Sequence, residues 1–204
     1  MKKLLMIFIL ISSNVLWSQE TLVFDSKDMV FYGLDFSKAR FTGGFGLTSP
    51  ARMQDIYMPA LNELMIDERK RYNVAKSYQK KNVEYDFDLA DKLNSKGDIY
   101  DQYLNEEIEQ LSDEEVQEVV NHYIKDEKHS GLGLVYVVDE VNHIRSLISI
   151  QITFFNIDTG EVYLSKRGRG SMRGFSIRNY YAGGIRQIIK DSEKLYRNWE
   201  KIYK

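Results

Sequence analysis

The densest group of residues that could bind a ligand lies between positions 166 and 178. Lysine and arginine alternate there with Gly168, Gly170 and Gly174, just ahead of a predicted helix. The exposed amides and the dipole at a helix N-terminus favour an anion, so a phosphate, a carboxylate or an acidic partner could dock there. The alternative is a solvated exit from a hairpin, whose arginines pair with the protein's own acidic helices. The candidate binding residues are Arg167, Arg169, Arg173, Arg178 and Asp35.

Asp35 is included because it ends a predicted strand and could act as an acid or a base. No second carboxylate can be placed beside it from the sequence. The segment 174–178 approaches the nucleophile-elbow pattern of serine hydrolases, but Arg178 stands where the final glycine belongs. We therefore predict no catalytic residue, and a non-enzyme is the favoured class.

Metal and cofactor sites are not expected. The chain has no cysteine, and its three histidines, His122, His129 and His143, lack the spacing of metal ligands. The glycine-rich segment 42–46 follows a predicted strand, yet the phosphate-loop pattern is incomplete because Ser49 replaces its last glycine. We interpret that segment as a structural loop.

The N-terminus has the anatomy of a cleavable secretory signal. Lys2 and Lys3 precede an apolar stretch from Leu4 to Ile11, and Ser18 is a small residue at the expected cleavage point. We predict a signal peptide at 1–18 and one α/β domain at 19–204, exported to the periplasm or secreted. No second stretch is apolar enough to predict a transmembrane span in the mature chain.

Charge is distributed unevenly along the chain. From Glu84 to Glu127 there are 15 acidic residues and 3 lysines, whereas from Arg145 to Lys204 there are 12 basic residues and 5 acidic ones. Such a division indicates either a surface for a protein partner or faces that attract each other within a fold or a homo-oligomer. Removal of the signal leaves 26 basic and 30 acidic residues, which argues against nucleic acid.

The hydrophobic pattern predicts an α+β sandwich with a mostly antiparallel sheet, a C-terminal β-meander and helices packed on it. Strands are predicted at 30–36, 83–89, 132–138, 147–155 and 161–165, with a tight turn at 156–160 joining the last two. Helices are predicted around 56–72, at 99–111, after a capping box at Ser112 and Glu115, and from Ile177 to the C-terminus, with a loop at 168–174 ahead of the last one. Gly183 and Gly184 inside the last helix predict a close internal contact.

Three short segments carry resemblances to known proteins. The hairpin 152–165 resembles that of the curli-secretion lipoproteins and of the penicillin-binding-protein activator lipoproteins, with Asn156 at the first acidic position of their pattern. The segments 131–135 and 174–181 are similar to parts of uncharacterised secreted proteins from Bacteroidetes-type bacteria. The resemblance implies a non-catalytic envelope module that binds another protein, although the cysteine that anchors the lipoproteins is missing.

These observations lead to one favoured function and one rival. The favoured function is an exported, non-catalytic binding or assembly module of the bacterial cell envelope, with an envelope protein as its partner. The rival is a small-anion binder or an envelope enzyme that uses the segment 166–178. Homo-oligomerisation through the oppositely charged faces is a third possibility.

Overall fold

The computed structural model describes residues 20–104, 110–125 and 128–204, so the predicted signal peptide 1–18 lies outside the described residues. A seven-stranded mixed sheet forms the centre of the molecule. Its strands are β1 Asp28–Asp35, β2 Arg40–Thr42, β3 Asn82–Tyr85, β4 Tyr103–Leu104, β5 Leu132–Asn142, β6 Leu147–Asn156 and β7 Val162–Ser171.

Strand β5 organises the sheet because it is long enough to serve several neighbours. On one edge it pairs in parallel first with β1 and then, beyond a bulge between Val138 and Glu140, with β2. Strands β3 and β4 pair in parallel with the outer edges of β1 and β2. On its other edge β5 pairs with β6, and β6 with β7, both antiparallel.

The prediction of a mostly antiparallel sheet is therefore wrong. Four of the six strand pairings are parallel, and strands β1 to β5 all run in the same direction. The antiparallel pairings join strands that are adjacent in the sequence, and the short turns between such strands can be recognised from local residue patterns. The parallel partners β1 and β5 are separated by about a hundred residues, and no local pattern encodes such pairing.

Helices cover the sheet on both sides. Helix α1 consists of α-helical Pro50–Arg52, a π-helical segment Met53–Tyr57 and α-helical Met58–Asp67. Residues 20–25 are also α-helical, and the helices that follow α1 are α2 Val74–Ser77, α3 Asp88–Asn94, α4 Asp113–Val120 and α5 Ile177–Tyr203. The helix predicted at 99–111 is wrong, because Ile99–Gln102 forms a 3-10 turn and β4 follows it, while residues 105–109 lie outside the described part.

The two faces of the sheet have different covers. On the first, which we call the α5 face, α5 packs on the predicted row of Ile148, Ile150, Ile152 and Phe154, while α1 packs against β1 and α2 against β3 and α5. On the second, the α4 face, Val116, Val119 and Val120 pack near Tyr32 and Phe155. The predicted capping box that starts α4 is confirmed, with Ser112 accepting from the amide of Glu115.

Two buried asparagine side chains make hydrogen bonds to the backbone of β1 beyond the point where its pairing with β3 ends. The pairing of β3 with β1 stops at Phe31, which leaves the next residues of β1 without a strand on that side. Asn62 of α1 accepts from the amide of Leu34 at 2.8 Å, and Asn94 of α3 donates to the carbonyl of Leu34 at 2.9 Å. Side-chain amides thus replace the missing ladder.

Helix α5 lies directly against β7 because both elements carry glycine at their contact. A methyl group on Gly170 would collide with the carbonyl of Gly184, and one on Gly184 would lie 2.5 Å from Cγ2 of Ile148. The close internal contact predicted at Gly183 and Gly184 is confirmed. The result is a long helix held under the outermost strand of the sheet.

Candidate functional site

The outer edge of β7 presents unpaired backbone. The amide of Ser171 points away from β6 and donates to Oε1 of Gln187 at 3.1 Å. Backbone direction alternates along a strand, so the amides and carbonyls of Arg169 and Arg167 also point outward. Within the described residues no strand pairs with this edge.

A groove of about 360 Å³ runs along this edge, and we call it the edge groove. Strand β7 forms one wall and helix α5 the other, with Gln110 contributing from the α4 face. Its lining residues are Gln110, Arg167, Gly168, Arg169, Ile188, Asp191 and Leu195. Apolar side chains therefore come from the helix and cationic ones from the strand.

A second groove of about 540 Å³ adjoins it and is dominated by positive charge; we call it the cationic groove. Asp191 lines both grooves, which places them side by side along α5. The lining residues are Arg71, Arg173, Gly183, Arg186, Gln187, Lys190 and Asp191. Cations outnumber the single carboxylate in this wall, so the groove favours negatively charged matter.

Most of these cations meet no counter-ion among the residues that the structure describes. In the part of the chain that the structure describes, no carboxylate lies within ion-pair distance of five residues, which we call the cationic face: Arg169, Arg173, Arg178, Arg186 and Lys190. Arg71 differs, since its guanidinium lies 2.9 Å from Glu68. The cationic face carries a net positive charge that an external partner can meet.

Arg167 is directed elsewhere. Its Nε lies 2.7 Å from Asp139 Oδ2 and its Nη2 lies 3.6 Å from Glu140 Oε2. Asp139 is fully buried at the bulge of β5, where burial raises its pKa and the charge of Arg167 opposes that rise. Arg167 therefore neutralises an internal acid, although its backbone still lines the edge groove.

Asp35 is fully buried and hydrogen-bonded within the α4 face. Its two oxygens accept from the Ser37 amide at 2.8 Å and from the Tyr123 hydroxyl at 2.7 Å. Burial raises the pKa of Asp35, and these hydrogen bonds lower it in part. Both oxygens are used in holding the end of β1, so this carboxyl is not presented to a ligand.

The five predicted binding residues are thus separated. The predicted loop at 168–174 is partly wrong, because residues up to Ser171 belong to β7. Arg169 lines the edge groove and Arg173 the cationic groove, while Arg178 lies in the first turn of α5.

Three cationic residues of the cationic groove were absent from the sequence prediction. Arg186 and Lys190 are four residues apart on the exposed side of α5, a spacing that the sequence displays and that could have identified them. Arg71 gives no such signal, because it comes from the distant segment after α1 and only tertiary packing brings it to α5.

The histidines do not form a metal site in the described residues, where no group of three potential metal-binding side chains occurs. His143 packs between the rings of Phe41 and Tyr181, and burial lowers its pKa. His129 lies 3.0 Å from Glu84 at the opposite end of the sheet.

Comparisons with known proteins assign the chain to no family. No family model matches the chain, and neither does any curated protein or solved structure. Among the described residues, no helix has the length and apolar character needed to cross a membrane.

Proposed function

We propose that this chain is an exported, non-catalytic binding module of the bacterial cell envelope, which captures an acidic protein partner on its cationic face. The observation that carries the proposal is a set of five cations beside the outer edge of β7, for which the described residues provide neither counter-ions nor a further strand. The proposal of export rests on the N-terminal sequence pattern.

The layout of the cations favours an extended partner over a small anion. Arg178 and Lys190 are twelve residues apart on α5, which corresponds to about 18 Å along the helix axis. All five side chains of the cationic face lie at the surface rather than converging on an enclosed point. A small-anion site needs several donors around one atom group, whereas a row of exposed cations suits a protein surface with several carboxylates.

Crosslinking in intact cells, followed by mass spectrometry of captured proteins, tests this proposal. We expect the double variant Arg173→Glu/Arg186→Glu to capture the main partner at least tenfold less than the unchanged protein. The matched control is Lys27→Glu/Lys81→Glu, which makes the same charge change on exposed residues at the start of β1 and β3. Equal melting temperatures would show that both variants are folded.

Two results would contradict the proposal. One is capture of the same partner at the unchanged level by the Arg173→Glu/Arg186→Glu variant. The other is a strong rise of the melting temperature with inorganic phosphate that this variant abolishes, which would favour the rival small-anion site.

A further inference from the structure

Resting on the proposed function, we infer how the partner binds: an extended segment with alternating acidic and apolar residues adds to the sheet as a strand beside β7. The edge groove supplies its place. Strand addition at an exposed edge uses main-chain hydrogen bonds for affinity and alternate side chains for specificity, and β7 offers both.

The backbone argument begins at Ser171, whose outward amide already donates to a side-chain carbonyl. Gln187 Oε1 there occupies the position that the carbonyl of an added strand would take. The outward groups of Arg169 and Arg167 are the next two hydrogen-bonding positions down the same edge, and both residues line the edge groove. Gln187 therefore occupies the first hydrogen-bonding position of this strand edge, and the next two positions face the edge groove.

The side chains on either face of β7 determine which residues of the added strand should be acidic and which should be apolar. Arg167 and Arg169 project to the α4 face, because the residue between them, Gly168, packs against Ile188 on the α5 face. A residue of the added strand directly opposite Arg169 meets a positive charge, so a glutamate or aspartate fits there. Its neighbours point to the α5 face, where Ile188 and Leu195 offer apolar contact and Asp191 disfavours a second acid.

A second copy of β7 is a poor occupant. Pairing two β7 edges would bring the arginines of one copy close to those of the other, and like charges across a strand pair destabilise it. Cationic residues at exposed edges are also a known protection against edge-to-edge aggregation. The same charges that repel another copy attract an acidic segment.

The test uses a fluorescein-labelled nine-residue peptide that alternates glutamate and valine, titrated with the purified protein at low salt. Two analogues carry N-methyl groups, one on every glutamate amide and the other on every valine amide. In an antiparallel pair the residue opposite Arg169 directs its amide toward β7. We therefore expect glutamate methylation to weaken binding at least tenfold and valine methylation to leave it within about twofold.

Two protein variants examine the same contact from the other side. Arg169→Ala removes the charge, and Arg169→Pro removes both the charge and the outward amide, in a position where an edge strand tolerates proline. We expect Arg169→Pro to bind the peptide at least tenfold more weakly than Arg169→Ala. Hydrogen exchange should show slower exchange of the Arg167 and Arg169 amides of the unchanged protein when peptide is bound.

The outcomes separate this inference from the proposed function. Equal binding of the parent peptide and both methylated analogues would overturn strand addition and leave a purely electrostatic contact, with the proposed function intact. Absence of binding by all three peptides would likewise overturn the inference, while the crosslinking comparison decides the function independently. The methylated peptides keep the test valid if Arg169→Pro fails to fold.

Discussion

Two buried aspartates on the α4 face are stabilised in different ways. Asp139 faces the guanidinium of Arg167, whereas Asp35 is held by neutral donors from Ser37 and Tyr123. Removing a carboxylate from water raises its pKa in both cases, and in Asp139 an opposite charge offsets part of that effect. Both carboxyls therefore couple the stability of the fold to pH.

Asp35→Asn should change how stability depends on pH. The pKa of Asp35 is raised above its ordinary 3.8, so the folded protein keeps a proton that the unfolded chain has lost. The stabilisation from this group is fully present below about pH 4 and is lost as pH rises through the folded pKa. The asparagine variant does not lose stability in this way. The difference between its free energy of unfolding and that of the unchanged protein should therefore shift in favour of the variant as pH increases.

Urea unfolding at several pH values between 4 and 8 measures this difference. Asp101→Asn, at an exposed carboxyl, controls for the removal of one negative charge. Parallel pH profiles for the unchanged protein and Asp35→Asn would show that the buried carboxyl does not couple to folding.

At the same scale, the sequence predicted part of the site. The concentration of arginine at 166–178 was visible, because composition alone reveals it. The pairing of Arg167 with Asp139 was not visible, since the two residues come from different strands and meet only through the register of β5, β6 and β7. Arg71 joined the site for the same reason, through packing that no local pattern encodes.

At the scale of elements, local signals were recognised and long-range pairing was not. The hairpin of β6 and β7 was predicted from alternation and from turn residues at 156–160, and its antiparallel pairing is confirmed. Gly168 and Gly170 were interpreted as loop residues, but their function is to let α5 approach a strand. Glycine indicates a loop or a close approach, and only the structure distinguishes the two.

Gly184→Ala provides a test of that close approach. Helix propensity alone favours alanine over glycine by about 1 kcal/mol. The added methyl group would lie 2.5 Å from Cγ2 of Ile148 and 3.1 Å from the carbonyl oxygen of Gly170, and overpacking of this kind costs about 1–3 kcal/mol. We expect the variant to have the lower free energy of unfolding, because the strain exceeds the gain in propensity.

Urea denaturation of Gly184→Ala and of Lys194→Ala gives the comparison. Lys194 is exposed on the same helix, so its substitution should change stability by no more than about 0.5 kcal/mol. A Gly184→Ala protein more stable than the unchanged chain would mean that α5 can move away from β7 at little cost.

At the scale of the whole molecule, the two charged regions are compensated to different degrees. Several acids between Glu84 and Glu127 already have cations from the same chain: Lys128 lies 3.3 Å from both Asp86 and Asp88, and Lys38 lies 2.9 Å from Glu118. The cationic face has no such partners in the described residues. The imbalance favours an external acidic partner over association between the two regions of different copies.

Self-association and partner binding should consequently respond differently to salt. The acids available to another copy are partly neutralised and two cationic faces repel each other, so we expect gel filtration with light scattering to report a monomer from 50 to 500 mM NaCl. The affinity for the glutamate–valine peptide should fall at least tenfold over that range, because the screening length shortens from about 10 Å at 0.1 M toward about 3 Å at 1 M. The Lys27→Glu/Lys81→Glu variant should show the same salt dependence as the unchanged protein. A dimer that dissociates as salt rises would instead indicate that the acidic region of one copy meets the cationic face of the next.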